Sequence, residues 1–316
     1  MYPYKMQREI VAVKNISHRA SSSPIDQHHL SHLLIASSAK GCFWDIKMDL
    51  NGGLERKLMD LKRRIGERRS LLVSYSGGVD SSLLARLAHD VLGERAMAVI
   101  LDSETYPRGE LEEAIALAEA IGLRLRVEMF SILDDRDFAL NPATRCYICK
   151  KKGIAILKRV ALEEGIDCIA DGVNADDLDD YRPGIAACSE EGIWHPFIDS
   201  GLTKKDIRSL ARDLGLPVWD KPSSACLASR IPYNERITEE GLRMVEEGEE
   251  YLKGLSFGQL RVRMQGRTAR IELEDRDMER ALFQREEIAM KLKGIGFEYV
   301  TLDLEGYRSG SSNEVL

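Results

Sequence analysis

The stretch Ser76-Gly77-Gly78-Val79-Asp80-Ser81-Ser82 constrains this chain most. It follows an apolar run, Leu71-Leu72-Val73-Ser74-Tyr75, and opens a helical one, Ser82-Leu83-Leu84-Ala85-Arg86-Leu87-Ala88. That order predicts a strand, a tight glycine turn and a helix N-terminus. The two glycines let the backbone approach a ligand closely, and the free amides with the helix dipole favour an anion. The hydroxyls of Ser76, Ser81 and Ser82 add donors. A phosphate suits such a turn. It is not a Walker A loop, because Gly-Lys-Ser/Thr is absent. An ordinary βα turn is the plain alternative. Asp80 lies inside the turn. A carboxylate beside a bound phosphate chain is unfavourable unless a cation intervenes, so Mg²⁺ is implied.

Around this loop, strands and helices alternate. Leu54, Leu58, Leu61 and Ile65 fall at helical steps before it. After it come an apolar strand, Ala96 to Leu101, and a helix, Gly109 to Ala120, closed by Gly122. Leu123 to Phe130 alternates like a strand, and a helix is expected from about Arg145 to Glu164. Cys168-Ile169-Ala170 then leads into Asp171-Gly172-Val173-Asn174. Thr203 to Leu214 reads as a helix capped by Thr203, with Asp206 three residues on. Such alternation implies an α/β fold with a doubly wound parallel sheet, whose ligand site lies at the carboxyl ends of the strands. Asp102 and Asn174 stand at two such ends and are candidate nucleotide contacts. Asp171 is a candidate second Mg²⁺ ligand. Turn and cap roles are the ordinary readings of all three.

After about Arg230 the order changes to helix (Thr238 to Leu252), strand (from Leu260), strand (from Ala269), helix (Asp275 to Lys293) and strand (Tyr299 to Leu304). This predicts a smaller C-terminal α+β domain. The expected organisation is a loop-bearing domain over 48–229 and a small substrate-binding domain over 230–316. Residues 1–47 hold His18, His28, His29 and His32 and a serine cluster, with no sustained period. They read as a disordered or misassigned extension, with translation beginning naturally at Met48. A targeting extension is the alternative, and metal binding by Cys42 with those histidines lacks any ligand spacing.

The chain has 316 residues, is 44% hydrophobic and 31% charged, and carries a formal charge of −7. No window approaches the roughly 18 apolar residues of a membrane span. The negative charge argues against broad nucleic-acid binding. Six cysteines at uneven spacing do not make a secreted disulfide framework. Catalytic or metal-binding thiols in a reducing cytoplasm are expected instead.

Cys146-Tyr147-Ile148-Cys149 is a C-x-x-C pair with three competing readings: a redox dithiol, half a zinc site, or part of an iron–sulfur site. No second C-x-x-C is present, so a closed four-cysteine zinc site is not readable. Cys168 is expected to be a buried small hydrophobe and Cys188 a surface-loop residue without a partner. Cys226 lies in the Pro- and Ser-rich loop Lys221-Pro222-Ser223-Ser224-Ala225-Cys226-Leu227-Ala228-Ser229-Arg230. Flanking cations such as Lys221 and Arg230 favour a thiolate, the state wanted by a nucleophile, a sulfur donor or a metal ligand. A buried inert cysteine is the alternative. In the small domain Arg261 and Arg263 occupy one strand face, and Arg308 follows in Gly306-Tyr307-Arg308-Ser309-Gly310. Converging guanidiniums make a phosphate or carboxylate pocket; a solvated edge strand is the alternative.

The loop resembles the pyrophosphate (PP) loop of the ATP pyrophosphatases, whose fold is adenine nucleotide α-hydrolase-like. Over residues 50–316 the chain is similar to the LarE-type ATP-dependent sulfur transferases of nickel-pincer cofactor synthesis. The resemblance is carried by Ser76 to Ser82, Asp171 to Asp177, Tyr181-Arg182-Pro183-Gly184, Trp219-Asp220-Lys221-Pro222, Cys226-Leu227-Ala228-Ser229-Arg230-Ile231-Pro232-Tyr233 and Gly306 to Gly310. It implies that ATP adenylates a carboxylate of a pyridinium dicarboxylate mononucleotide, releasing pyrophosphate, and that sulfur then displaces AMP to leave a thiocarboxylate. In one branch a cysteine matching Cys226 surrenders its own sulfur. In the other, three cysteines hold a 4Fe–4S cluster whose open iron carries exogenous sulfide. Cys146, Cys149 and Cys226 together point to the cluster branch. By the same resemblance, Ser76, Gly77, Gly78, Asp80, Ser81 and Ser82 would bind ATP, and Ser229, Arg261, Arg263 and Arg308 would clamp the substrate phosphate. Glu249 or Glu250 is a further site residue whose register the sequence leaves open. The family also implies a homo-oligomer and, as partners, the other enzymes of nickel-pincer synthesis. A tRNA thiolase of the same superfamily is the competing reading, disfavoured by the −7 charge. An amide-forming ligase would need an ammonia source, and no glutaminase segment is visible.

Overall fold

The computed structural model describes residues 52–179 and 183–308. The expectations for residues 1–47, and those on Tyr181, Arg182, Ser309 and Gly310, lie outside the described residues. Residues 49–316 cluster as one compact unit.

The first half alternates as expected. Helix α1 (Gly52–Gly66) buries Leu54, Leu58, Leu61 and Ile65 as one stripe. Strand β1 (Leu71–Ser74) leads through the glycine turn into α2 (Val79–Leu92), followed by β2 (Ala96–Asp102), α3 (Arg108–Ile121) and β3 (Leu125–Met129). Gly122 ends α3 in the left-handed region, at φ 78°. A short helix α4 (Arg136–Ala139) precedes the long α5 (Arg145–Glu163). Strand β4 is only Ile169–Ala170, and α6 (Pro183–Glu190), α7 (Pro196–Asp199) and α8 (Lys204–Asp213) follow. The four strands pair in parallel in the order β3-β2-β1-β4. The chain runs from β1 out to β3 on one side and returns to β4 on the other. The strand order therefore reverses beside β1, and a ligand crevice is expected at the carboxyl ends of β1 and β4. The glycine turn and Asp171–Asn174 sit at those two ends.

The second half is α9 (Glu239–Gly254), β5 (Leu260–Gln265), β6 (Thr268–Leu273), α10 (Asp275–Phe283), α11 (Arg285–Ile295) and β7 (Tyr299–Leu302). Its sheet runs β5-β6-β7, with the first pair antiparallel and the second parallel. The single helix expected over Asp275 to Lys293 is two, because the backbone bends at Gln284 (φ −95°, ψ 11°). Glu286 and Glu287 then open the new helix with charges that suit its N-terminus. The core under this sheet is completed from earlier in the chain: Ile132, Phe138, Leu227 and Ala228 pack with Val245, Leu252, Val262 and Ile271.

Candidate functional site

The shape of the glycine turn requires a glycine at position 77. Gly77 has φ +65°, and a Cβ there would lie 2.5 Å from the Cβ of Ala114 on α3. The Ser81 hydroxyl accepts from the Ser76 amide at 3.1 Å and donates to the Gly78 carbonyl at 3.2 Å. The Tyr106 hydroxyl donates to the Ser76 carbonyl at 2.9 Å. Gly78 caps α2 without any side chain over the first amides, which leaves that N-terminus open to an anion.

Asp80 accepts from Asn174 Nδ2 at 3.3 Å and pairs with Lys204 Nζ at the start of α8. The loop after β4 lies directly on the turn: a Cβ on Gly172 would come within 2.9 Å of the Ser81 amide. Asp171 is placed behind that contact. It is buried and bonds His195 Nδ1 at 2.7 Å, Lys150 Nζ at 3.3 Å and the Cys188 thiol at 3.3 Å. Burial pushes the Asp171 carboxyl up, but the His195 hydrogen bond and the Lys150 charge outweigh it and hold the group at about 2. Asp102 ends β2 and pairs with Arg108 at 2.5 Å. Cys188 is therefore not a surface-loop thiol. It is fully buried on α6, because the helix turns it inward onto Asp171. Cys168 is half-buried rather than buried, since β4 begins one residue later and is two residues long.

Cys226 is exposed at the end of the strap Pro222–Cys226. Both ends of the strap are anchored. Lys221 bridges Glu110 at 3.0 Å and Glu113 at 2.8 Å on α3. Arg230 donates to the carbonyls of Ala225 at 2.6 Å and Cys226 at 3.1 Å. The amide of Leu227 donates to the Thr105 carbonyl at 2.9 Å. The two flanking cations are thus both paired with carboxylates. Arg230 and Glu249 form a bidentate pair at 2.8 and 2.9 Å, with both side chains under 5% exposed (2% and 4%). This settles the register: Glu249 is the buried glutamate and Glu250 is exposed.

Cys146 and Cys149 lie in the first two turns of α5. Desolvation raises both thiols, and the nearby Cys226 raises them further, Cys149 to about 12. Opposing this at Cys146 is the Arg145 guanidinium, close enough to hydrogen-bond the thiol. The three thiols are thus near enough for their charges to act on one another. Among the described residues, however, no group of three or more His, Cys, Asp or Glu side chains is gathered to hold a metal ion.

Arg261 has no carboxylate partner among the described residues. Its guanidinium lies 5.2 Å from the centre of the Tyr307 ring, and burial with the Arg230 and Arg263 charges lowers its pKa. Arg263 is nearly buried, pairs with Glu272 and donates to the Ser229 carbonyl at 2.9 Å. The Ser229 hydroxyl takes a 3.0 Å bond from Arg230. Arg308 is exposed and bonds Glu305 at 2.7 Å; it is the preceding Tyr307 that meets Arg261.

Sequence reasoning gave no role to Lys204, His195, Lys150, Asn141 or Tyr233. One signal was available for Glu249. It lies on the apolar stripe of α9 formed by Leu242, Val245 and Leu252, and an acid on a buried stripe calls for a cation.

A family model described as NAD synthase matches residues 57–139. An uncharacterized Synechocystis protein is 43% identical over 265 residues, covering 83% of this chain and 99% of that protein. The pyridinium-3,5-bisthiocarboxylic acid mononucleotide synthase of Lactiplantibacillus plantarum is 35% identical over 264 residues, covering 83% of this chain and 96% of the synthase. A glutamine-hydrolyzing GMP synthase component of Methanopyrus kandleri is 30% identical over 179 residues, about half of either chain (52% and 55%). The glycine turn at a strand end, the small second sheet and nearly full-length similarity to the Lactiplantibacillus enzyme agree: the chain belongs to the LarE-type family of pyridinium-3,5-bisthiocarboxylic acid mononucleotide synthases.

Proposed function

We propose that this chain is an ATP-dependent sulfur transferase that converts carboxylates of a pyridinium-3,5-biscarboxylate mononucleotide into thiocarboxylates for nickel-pincer cofactor synthesis. One observation carries the reading. The segment Thr105-Tyr106 bonds the phosphate turn at Ser76 on one side and the Cys226 strap at Leu227 on the other. The turn that would bind ATP and the loop of the would-be sulfur donor are thereby joined through two consecutive residues.

ATP would seat its phosphates on the open N-terminus of α2 and the amides of Gly77 and Gly78, with Ser76, Ser81, Ser82 and Lys204 around them. Asn174 and Asp102 would border the nucleotide. Mg²⁺ would be held by Asp80, with Asp171 supporting that loop from behind, and would neutralise the phosphate charge. A substrate carboxylate oxygen attacks the α-phosphorus, and the α–β bridging bond breaks to release pyrophosphate. A sulfur nucleophile then bonds the acyl carbon while the carbon–oxygen bond breaks and its electron pair leaves with AMP. Arg261, with Ser229, Arg263 and Arg308, would hold the phosphate of the mononucleotide.

For the sulfur, Cys146, Cys149 and Cys226 match in kind and number the thiolates that would hold a 4Fe–4S cluster, and such a cluster would supply the iron that takes exogenous sulfide. A second reading, sacrifice of the Cys226 sulfur alone, is favoured by the exposure of that thiol. The product would pass to the other enzymes of nickel-pincer synthesis. Exposed Phe283 and Met290 on α10 and α11 would suit a homo-oligomer contact. The test is ATP–pyrophosphate exchange with the pyridinium mononucleotide, set against bulk tRNA. Exchange only with tRNA would overturn the proposal. Iron and sulfide analysis of anaerobic protein separates the two sulfur sources.

A further inference from the structure

We propose that Tyr307 is the specificity-determining residue for the substrate's ring, its aromatic face taking a cationic pyridinium in preference to a neutral ring. The inference rests on the sulfur-transfer reading above and adds to it how the ring, rather than the phosphate or the carboxylates, is recognised.

Tyr307 is placed by backbone geometry. Gly306 before it has φ +69°, and a Cβ there would lie 2.8 Å from the Leu273 carbonyl oxygen and 3.0 Å from Met278 Cε. Glycine alone fits such a position. The Tyr307 amide thereby comes close enough to donate to the same Leu273 carbonyl at 2.8 Å. Leu273 ends β6, so the tyrosine is pinned to the sheet that carries Arg261 and Arg263 on β5. Its half-buried ring has its centre 5.2 Å from the Arg261 guanidinium, which is itself held by a 2.6 Å bond to the Leu260 carbonyl. Tyr307 is also near enough to Arg230 for a charge on its oxygen to be felt there. Arg230 in turn holds the carbonyls of Ala225 and Cys226. The ring thus neighbours both the candidate phosphate arginine and the arginine that anchors the Cys226 strap.

A pyridinium mononucleotide has the matching order. Its phosphate hangs from the ribose on the ring nitrogen, its carboxylates leave the far side of the ring, and the ring is the part between. With the phosphate on Arg261 and a carboxylate directed to the strap, the ring falls beside Tyr307. An aromatic face is electron-rich and attracts a cation. Phosphate on Arg261 offsets the charge of that guanidinium and leaves the face to the pyridinium. Two other tyrosines beside the strap are engaged elsewhere: Tyr106 through its hydroxyl to the Ser76 carbonyl, and Tyr233 against Arg145. Stacking grips the ring by its face, so half a turn about the bond to ribose presents either carboxylate to the same chemistry.

The experiment measures ATP–pyrophosphate exchange in the full chain against the concentration of two substrates. One is the pyridinium-3,5-biscarboxylate mononucleotide, the other its neutral isostere with carbon in place of the ring nitrogen. Wild type should favour the pyridinium by about threefold to thirtyfold in KM, the worth of one cation–π contact. Tyr307→Leu should bring the two KM values together, mainly by raising that of the pyridinium. Tyr307→Phe keeps the aromatic face and should keep the preference. A merely structural role would raise both KM values alike and leave their ratio in place. An isostere that wild type uses as readily as the pyridinium overturns the inference, and that measurement needs no variant to fold. So does a ratio in Tyr307→Leu equal to that of wild type, or a ratio that collapses in Tyr307→Phe. A wild type that exchanges with neither substrate overturns the sulfur-transfer reading itself.

Discussion

At the scale of single residues, two positions separate shape from charge. Gly77 is needed twice, once for its φ of +65° and once because Ala114 fills the space a side chain would take. Gly77→Ala should cost about 1–2 kcal/mol for the backbone and about 1–3 kcal/mol for the overlap, and ATP affinity should fall with it. Ala114→Gly in the same chain should return only the steric part, which thermal unfolding of the two single variants and the pair will measure. Asp171 tests charge. Its carboxyl is held at about 2 against an ordinary 3.8, with the side chain 5% exposed. A lowered carboxyl stabilises the fold above its unfolded value and loses that contribution as pH falls through the folded one. The gap of roughly two pKa units corresponds to about 2–3 kcal/mol. The stability difference between wild type and Asp171→Asn should be full above about pH 4 and shrink toward pH 2. Urea unfolding across that range checks it, and a difference that grows on acidification would reverse the assignment.

At the scale of elements, what was legible in the sequence depended on how far apart the partners lie. The capping box of α8 joins Thr203 to Asp206, each taking a 3.2 Å bond from the other's amide, and a spacing of three is visible in any local pattern. Thr203→Ala should remove about 1 kcal/mol, seen as a small fall in Tm, and should raise the ATP KM because Lys204, the next residue, loses its fixed position against Asp80. The Lys204–Asp80 pair itself spans 124 residues, and no periodicity reports it. The same holds for Asn141 with Pro232, 91 apart, and Arg145 with Tyr233. The strand–turn–helix carrying Ser76 to Ser82 was readable because glycine, apolar run and helix pattern are contiguous. Cys188 was misplaced because eight residues of α6 carry only a weak stripe, and its partner Asp171 lies 17 positions away. The sequence thus shows the parts of the candidate nucleotide site and the cysteines, while the ion pairs that set the strap are products of the fold.

At the scale of the whole molecule, the two sheets differ in topology, and the core of the second is completed by residues from the first half. Phe138, 2% exposed, comes from between β3 and α5 and packs with Val245, Leu252 and Val262 of the second half. Leu227 and Ala228, next to Cys226, join the same cluster. Both halves therefore lose contacts if either opens, and the sulfur strap lies on the seam between them. Phe138→Ala should cost about 3–5 kcal/mol by cavity formation, and the loss should be felt by the whole chain rather than by the first half. The tryptophans make this testable: all three, Trp44, Trp194 and Trp219, stand before residue 230. Tryptophan fluorescence thus follows the first half, while far-ultraviolet circular dichroism follows every helix. In wild type and in Phe138→Ala the two signals should give one coincident transition in urea, shifted to lower concentration in the variant. If the variant's fluorescence transition stays in place while the dichroism splits, the shared core does not couple the halves. The Cys226 strap would then rest on two independently moving bodies instead of one.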